Sequence, residues 1–175
     1  MVELLLFSIP TIAYLAWHRN SLREAARVMG FARPRPKDLT LAVITALVLA
    51  ALSWPIIRLI PPEVLSSPNI ALPTITALSL VSTAARAAGE EILFRGFLQG
   101  LLGQRLGALP TIAIVSALFL LPHVPLLLVS WSLVGLVALQ FVAGVGMCYL
   151  RHITGNIAAP TIVHVVLNVS QAFLL

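Results

Sequence analysis

Residues 87–102, AAGEEILFRGFLQGLL, decide the fold class because they place charge within a strongly apolar helical segment. The charged residues are Glu90, Glu91 and Arg95. An ionisable side chain at membrane depth costs roughly a few kcal/mol or more, so it is kept mainly where it faces a bundle interior or a water-filled cavity. The segment therefore indicates a polar site inside a membrane helix bundle.

Two further residue pairs, Phe119 with His123 and His164 with Asn168, add polar side chains in or beside apolar helical segments. With them the chain places two carboxylates, two imidazoles, an arginine and an amide in apolar surroundings. A purely structural bundle does not need so many polar groups. The set predicts an active site within the membrane.

Composition also favours a membrane protein. Of the 175 residues, 59% are hydrophobic and 10% are charged, whereas soluble domains average about 25% charged residues. The formal net charge is +5 and comes mostly from short loops. The positive-inside rule explains this charge better than nucleic-acid binding does, so we predict no nucleic-acid partner.

The apolar windows predict an all-α, polytopic membrane helix bundle with about six transmembrane helices, since a span needs roughly 20 apolar residues. We expect residues 1–175 to form a single integral membrane domain. Residues 1–69 would hold two N-terminal spans and a basic loop, and residues 70–175 the catalytic helical core. The predicted spans are residues 2–17, 39–60, 70–102, 111–121, 126–149 and 157–175.

The third predicted span is unusually long. Residues 70–102 are interrupted only by Pro73, and one straight helix of that length would measure about 50 Å. The hydrocarbon core is only about 30 Å thick. We therefore expect either a break near Gly89 or a long tilted helix whose end leaves the membrane.

The basic loops predict the orientation. With six spans, residues 18–38, Arg105 and Arg151 fall on one side, and the other side holds only Arg58. Basic loops favour the cytoplasm, so the 18–38 loop is predicted to be cytoplasmic and both termini to face outward.

The helical rise per residue predicts that the polar groups lie at a similar depth in the membrane. Glu90 lies 15 residues before Arg105, His123 lies 15 after Ala108, and His164 lies 13 after Arg151. Arg105, Ala108 and Arg151 are all predicted to lie at the cytoplasmic side. At the helical rise per residue, each of the three polar groups would lie about 20 Å from that edge of the membrane. Three helices can therefore bring these groups into one cavity.

Local spacing separates the two glutamates. Glu91 and Arg95 are four residues apart, so they share a helix face and can pair. Glu90 is rotated by about 100° and need not join the pair, which leaves it as the chemically available carboxylate. His164 and Asn168 are also four apart and would present two hydrogen-bond donors along one face.

Each feature also has a structural alternative. The Glu91–Arg95 pair could only stabilise a helix, and a membrane histidine could only bind a backbone carbonyl. Phe119 and His123 are four residues apart, so the phenyl ring is expected to pack beside the imidazole. Asn168 could hold two helices together. No single alternative explains why the polar residues share one depth.

Three ordered motifs on apolar helices resemble the signature of the CAAX protease and bacteriocin-processing family. This family includes the type II CAAX prenyl endopeptidases of eukaryotes and the bacterial Abi proteins. The resemblance covers roughly residues 71–175. The motifs are Glu90-Glu91-x-x-x-Arg95, Phe119-x-x-x-His123 and His164-x-x-x-Asn168.

The resemblance implies an intramembrane endopeptidase that uses glutamate rather than serine or zinc, and therefore no cofactor. Carried over by position, Glu90 would be the general base that activates water, helped by His123. His164 and Asn168 would stabilise the oxyanion of the tetrahedral intermediate. The residues expected to support the site are Glu91, Arg95 and Phe119.

The alternatives come from several classes. A zinc-dependent membrane protease could use Glu90, His123 and His164 as ligands, although the chain has no His-Glu-x-x-His pattern. A polytopic transporter could use buried Glu and His to relay protons or bind a solute. A non-catalytic scaffold or immunity protein could share the fold.

The predicted location is a plasma (inner) membrane, as a multi-pass protein of a prokaryote. The predicted partners are the lipid bilayer and a membrane-associated peptide or protein substrate. The sequence leaves open whether that substrate is prenylated.

Overall fold

The protein is built from helices. The computed structural model describes residues 2–67, 70 and 75–174, and those ranges contain no strand. Residues 71–74, with Pro73 at the start of the third predicted span, lie outside the described part of the chain. The α-helices of the described ranges are α1 (Val2–Trp17), α2 (Leu22–Val28), α3 (Pro36–Arg58), α4 (Pro62–Leu65), α5 (Ala77–Glu91), α6 (Gln99–Leu106), α7 (Ala108–Leu120), α8 (Leu126–Val129), α9 (Val134–Thr154) and α10 (Ala158–Leu174).

Three helical stretches of the described chain are long and apolar enough to cross a membrane. They are Pro36–Arg58, Ala108–Val129 and Trp131–Thr154. Val2–Trp17 and Ala158–Phe173 are apolar but shorter. The all-helical membrane architecture is therefore supported, whereas six spans and their orientation stay predictions.

The predicted break near Gly89 is wrong. Helix α5 passes through Gly89 and continues into a π-helical segment, Ile92–Leu98, and then into α6. Gly89 is instead a point of close packing, because a Cβ there would lie 2.9 Å from the Cα of Leu4 in α1. The missing side chain lets α1 approach the helix that carries the two glutamates.

The π-helical segment lies directly after Glu91 and contains Arg95. Such segments are rare and occur frequently at functional sites. Gly96 and Gly100 face the end of α2, where added Cβ atoms would lie 3.2 Å from the Met29 carbonyl oxygen and 2.6 Å from the Val28 carbonyl oxygen, respectively. The missing side chains of these glycines therefore permit close packing against the end of α2.

Two other predicted boundaries are wrong. The gap between the third and fourth predicted spans places a turn at residues 103–110, but the non-helical backbone is confined to Gly107, whose φ of +74° suits glycine. Arg105, expected in this turn, lies in α6. The span predicted over residues 126–149 does not run as one helix, because residues 121–133 form 3₁₀ turns and the short helix α8. Pro122 and Pro125 lie in this region, and proline removes a backbone donor from a helix.

A polar turn fixes the start of α10. Gly155 ends α9 in the left-handed region, with a φ of +72°. The Asn156 Oδ1 accepts a hydrogen bond from the Ala159 N–H at 3.1 Å, and its Nδ2 donates to the buried Asp38 of α3 at 3.2 Å. The turn therefore ties α10, which carries His164, to α3.

The apolar core lies where α3, α7, α9 and α10 meet. Its buried side chains include Leu49, Phe119, Met147, Val163 and Leu167. Phe119 connects this core to the polar residues, since it belongs to the predicted site and is 1% exposed.

Replacing Gly89 with Ala is expected to lower stability, because the new methyl group would collide with α1 backbone. Overpacking of this kind costs about 1–3 kcal/mol, which corresponds to a melting temperature roughly 2–12 °C lower for a chain of this size. Thermal unfolding of the purified protein measures the change.

Gly103→Ala is the matched control, because nothing lies within 4 Å of a Cβ at that helical position. Alanine is the better helix former, so this variant should melt at or above the wild-type temperature. Equal melting temperatures for the two variants would contradict the packing role of Gly89.

Candidate active site

The predicted polar residues converge. Glu90 lies in the last turn of α5, His123 ends a 3₁₀ turn after α7, and His164 lies in α10. The Oε2 of Glu90 is 3.7 Å from the Nε2 of His164. A cavity of about 120 Å³ is lined by Glu90, His123 and Phe119 together with Phe7, Arg86, Phe94 and Pro122. Glu90 therefore lies beside His164 and lines one cavity with His123, whereas His164 is not among the residues that line this cavity.

Phe119 packs against both imidazoles. Its ring centroid lies 5.4 Å from that of His123 and 5.6 Å from that of His164. The guanidinium carbon of Arg95 lies 4.3 Å from the same centroid, within the range of a cation–π contact. The expected packing of Phe119 beside His123 is confirmed, and the ring also holds two further site residues in place.

Glu91 and Arg95 form the predicted ion pair. Arg95 Nη1 donates to Glu91 Oε1 at 2.7 Å, and both side chains are 0% exposed. Arg95 Nη2 also donates to the Gly144 carbonyl of α9 at 3.3 Å. This pair therefore connects the π-helical segment to α9 in addition to stabilising its own helix.

Glu91 has a second partner that the sequence did not indicate. His164 Nδ1 lies 2.8 Å from Glu91 Oε1. Glu91 is paired with Arg95 and therefore ionised, and an ionised carboxylate only accepts hydrogen bonds, so Nδ1 carries the proton. Glu91 thus fixes the orientation of His164 and turns its Nε2 towards Glu90.

His123 is oriented in a similar way. Its Nδ1 lies 3.1 Å from the Phe119 carbonyl oxygen. A carbonyl oxygen is only an acceptor, so Nδ1 carries a proton and donates it. Nε2 takes no part in this hydrogen bond. The carbonyl contact anticipated as a structural alternative is present, and it leaves one ring nitrogen for chemistry.

Glu90 is not the free carboxylate that spacing suggested. Arg86, one turn earlier in α5, donates from Nε to Glu90 Oε1 at 2.9 Å. The Arg86 side chain is 57% exposed and that of Glu90 is 12% exposed, so the arginine covers the carboxylate from the outside. Arg86 is not among the residues predicted from the sequence, although its four-residue spacing from Glu90 is a usable signal.

Asn168 lies one helical turn beyond His164 and is half-buried. Among the hydrogen bonds of the described residues, none involves its side chain. Its amide therefore remains available to a ligand.

A family model for type II CAAX prenyl endopeptidase Rce1-like proteins matches residues 72–170. This match covers more than half of the chain and contains all three motifs. The chain belongs to this family. The Rce1-like assignment confirms the resemblance and implies a peptidase of the CAAX type that acts in a membrane. Searches of curated proteins and of solved structures found no match.

A metal site was the main chemical alternative for this Rce1-like chain. Zinc in a catalytic site takes three protein ligands. In residues 2–67, 70 and 75–174, no three His, Cys, Asp or Glu side chains are grouped so that they could hold a metal ion. The ligand set Glu90, His123 and His164 is therefore not favoured by the geometry, and metal independence stays a prediction.

Proposed function

We propose that the protein is a glutamate-dependent intramembrane endopeptidase in which Glu90 activates the attacking water. One observation carries the proposal: a nearly buried carboxylate lines a cavity with His123 and lies 3.7 Å from His164. Membership of the Rce1-like family supports the peptidase class.

In the proposed first step, Glu90 accepts a proton from water while the water oxygen bonds to the carbonyl carbon of the scissile peptide. His123 holds the same water through Nε2, its ring nitrogen that faces no backbone group. General-base catalysis of this kind contributes about 10²–10⁴-fold to a rate. In the proposed second step, the proton on Glu90 passes to the leaving amine as the C–N bond breaks.

The oxyanion formed in the first step is stabilised by hydrogen-bond donors. Asn168 Nδ2 can supply one, since no protein group occupies it among the described residues. His164 Nδ1 already donates to Glu91, so His164 can donate only from Nε2 when that atom is protonated. The ring would then lie between Glu90 and Glu91 as an imidazolium. Removing one such donor typically costs about 10²–10³-fold in kcat.

The proposed substrate is a membrane-associated peptide or protein, and the family description favours a prenylated C-a-a-X tail. The proposed setting is a prokaryotic plasma membrane, with residues 70–175 as the catalytic core of a single membrane domain. The proposed mechanism uses a carboxylate base and two oxyanion donors and assigns no step to a metal.

The proposal is tested with purified protein and a panel of fluorogenic peptides, some ending in prenylated C-a-a-X sequences. Cleavage is measured with and without a strong chelator, and after zinc is restored. The expected result is cleavage of at least one peptide at a rate that chelation does not change. Chelator-sensitive cleavage that zinc restores would overturn the metal-independent mechanism.

Replacing Arg86 with Gln is expected to lower kcat by about tenfold while the protein stays folded. Arg86 holds the Glu90 carboxylate in one position, and misplacing a catalytic group by about 1 Å can cost up to 10²-fold. Steady-state kinetics separate kcat from KM. The control is Arg19→Gln, which removes the same charge from an exposed position outside the cavity. An unchanged kcat in Arg86→Gln would remove the positioning role.

A further inference from the structure

A second cavity lies apart from the candidate active site. Its volume is about 280 Å³, and it lies between the end of α2, the helix α6, the start of α7 and the end of α9. Its polar lining comprises Arg27, Gln99, Gln104, Thr111, Arg151 and His152. None of the candidate catalytic residues lines it, so it requires a separate explanation.

The ionisable side chains that line this cavity are all basic. Three basic side chains line it, and no Asp or Glu is among the lining residues. Arg151 is half-buried, and Arg27 is exposed. None of the ion pairs formed by the described residues includes either arginine. Buried charges in proteins are normally paired or bound to a ligand.

Arg151 is held so that part of its guanidinium stays available. Its Nε donates to the Arg95 carbonyl at 3.3 Å, and its Nη2 donates to the Val28 carbonyl at 3.0 Å. These two bonds fix the guanidinium plane. Nη1 takes part in neither bond, so it can donate to an anion in the cavity.

The start of α7 adds donors on another side of the cavity. Gly107 and Ala108 line it, and no side chain caps this helix start. The Thr111 hydroxyl donates to the Gly107 carbonyl at 2.6 Å. The first N–H groups of a helix lack internal partners and favour negative charge. In α7 these groups belong to Ala108 and Leu109, because Pro110 has no N–H.

The position of the cavity suggests the source of an anion. Ala108 begins one of the apolar stretches long enough to span a membrane, and Arg151 lies in the last turn of another. The cavity therefore lies at the ends of membrane helices, where lipid headgroups are found. Basic pockets between transmembrane helices, at the depth of the lipid headgroups, bind anionic headgroups.

We propose that this cavity is a phosphate-binding site, which takes the phosphate of a phospholipid headgroup or a soluble phosphate. Arg27 and Arg151 bind the phosphate oxygens, and the start of α7 faces the same anion. This proposal concerns a site separate from the peptidase chemistry and does not depend on it.

The test is native mass spectrometry of delipidated, detergent-purified protein titrated with phosphatidylglycerol, phosphatidylcholine and inorganic phosphate in separate arms. Both lipids carry the phosphate, but the quaternary ammonium of phosphatidylcholine is repelled by a basic cavity. Wild-type protein is therefore expected to retain phosphatidylglycerol in preference to phosphatidylcholine. Arg27→Gln should weaken this binding by roughly tenfold, the value of one charge-assisted hydrogen bond. Arg27 is exposed, so the variant is expected to fold.

Arg105→Gln is the matched control, because it removes the same charge from α6, next to the cavity but outside its lining. It should bind phosphatidylglycerol as the wild type does. Binding of inorganic phosphate with the same dependence on Arg27, and displacement of the lipid by it, would identify a soluble phosphate as the occupant of the site. Equal weakening in both variants, or no retention of any probe, would overturn the proposal.

Discussion

Replacing Glu90 with Gln is expected to lower kcat/KM by roughly 10²–10⁴-fold, the range that general acid–base catalysis contributes. Glutamine has almost the same shape, but its amide cannot take a proton from water. The side chain can still accept a hydrogen bond from Arg86, so the cavity should keep its form. Cleavage rates of the purified variant, with thermal unfolding alongside, measure both effects.

Glu63→Gln serves as the control for Glu90→Gln, because Glu63 is exposed in α4 and is not among the residues that line the candidate active site. It should cleave at the wild-type rate. A Glu90→Gln protein that folds and retains more than about a tenth of wild-type activity would contradict the assignment of Glu90 as the base.

The largest stability effect is expected for Arg95→Met. This change leaves Glu91 as an uncompensated buried charge, which costs about 3–5 kcal/mol, or a melting temperature roughly 6–20 °C lower. It also removes the contact of the guanidinium with Phe119 and its hydrogen bond to Gly144. Thermal unfolding in one detergent compares this variant with Arg105→Met, an exposed position that should change little.

A double variant, Glu91→Gln with Arg95→Met, separates stability from activity. Removing both charges should recover part of the lost stability, because no buried charge is left unpaired. Activity should not recover, because His164 loses the carboxylate that orients it. Full stability of Arg95→Met alone, or recovery of activity in the double variant, would contradict the proposed role of the pair.

Much of the site could be predicted from local spacing. Residues four apart on a helix must share a face, and this alone predicts the Glu91–Arg95 pair and the packing of Phe119 beside His123. Helical rise then places Glu90, His123 and His164 at one depth. The ion pair and the ring packing are confirmed because they depend on helix geometry and not on how the helices pack, whereas the shared depth stays a prediction.

Other features depend on packing between helices, which local spacing does not describe. The hydrogen bond from His164 to Glu91 joins α10 to α5 and depends on the turn at Asn156. Gly89 was expected to break a helix, although its role depends on the approach of α1. No periodicity of residues in the sequence predicts the π-helical segment. Arg86 could have been found, since its spacing from Glu90 is local.

The most direct test of the proposed mechanism is a single turnover in H₂¹⁸O with enzyme in excess over peptide. Mass spectrometry then locates the label in the product and in the enzyme fragment that contains Glu90. If Glu90 is a general base, one ¹⁸O atom enters the new carboxyl group of the product and none enters Glu90. An unlabelled product carboxyl, or ¹⁸O in the Glu90 side chain, would contradict the proposal that Glu90 activates water.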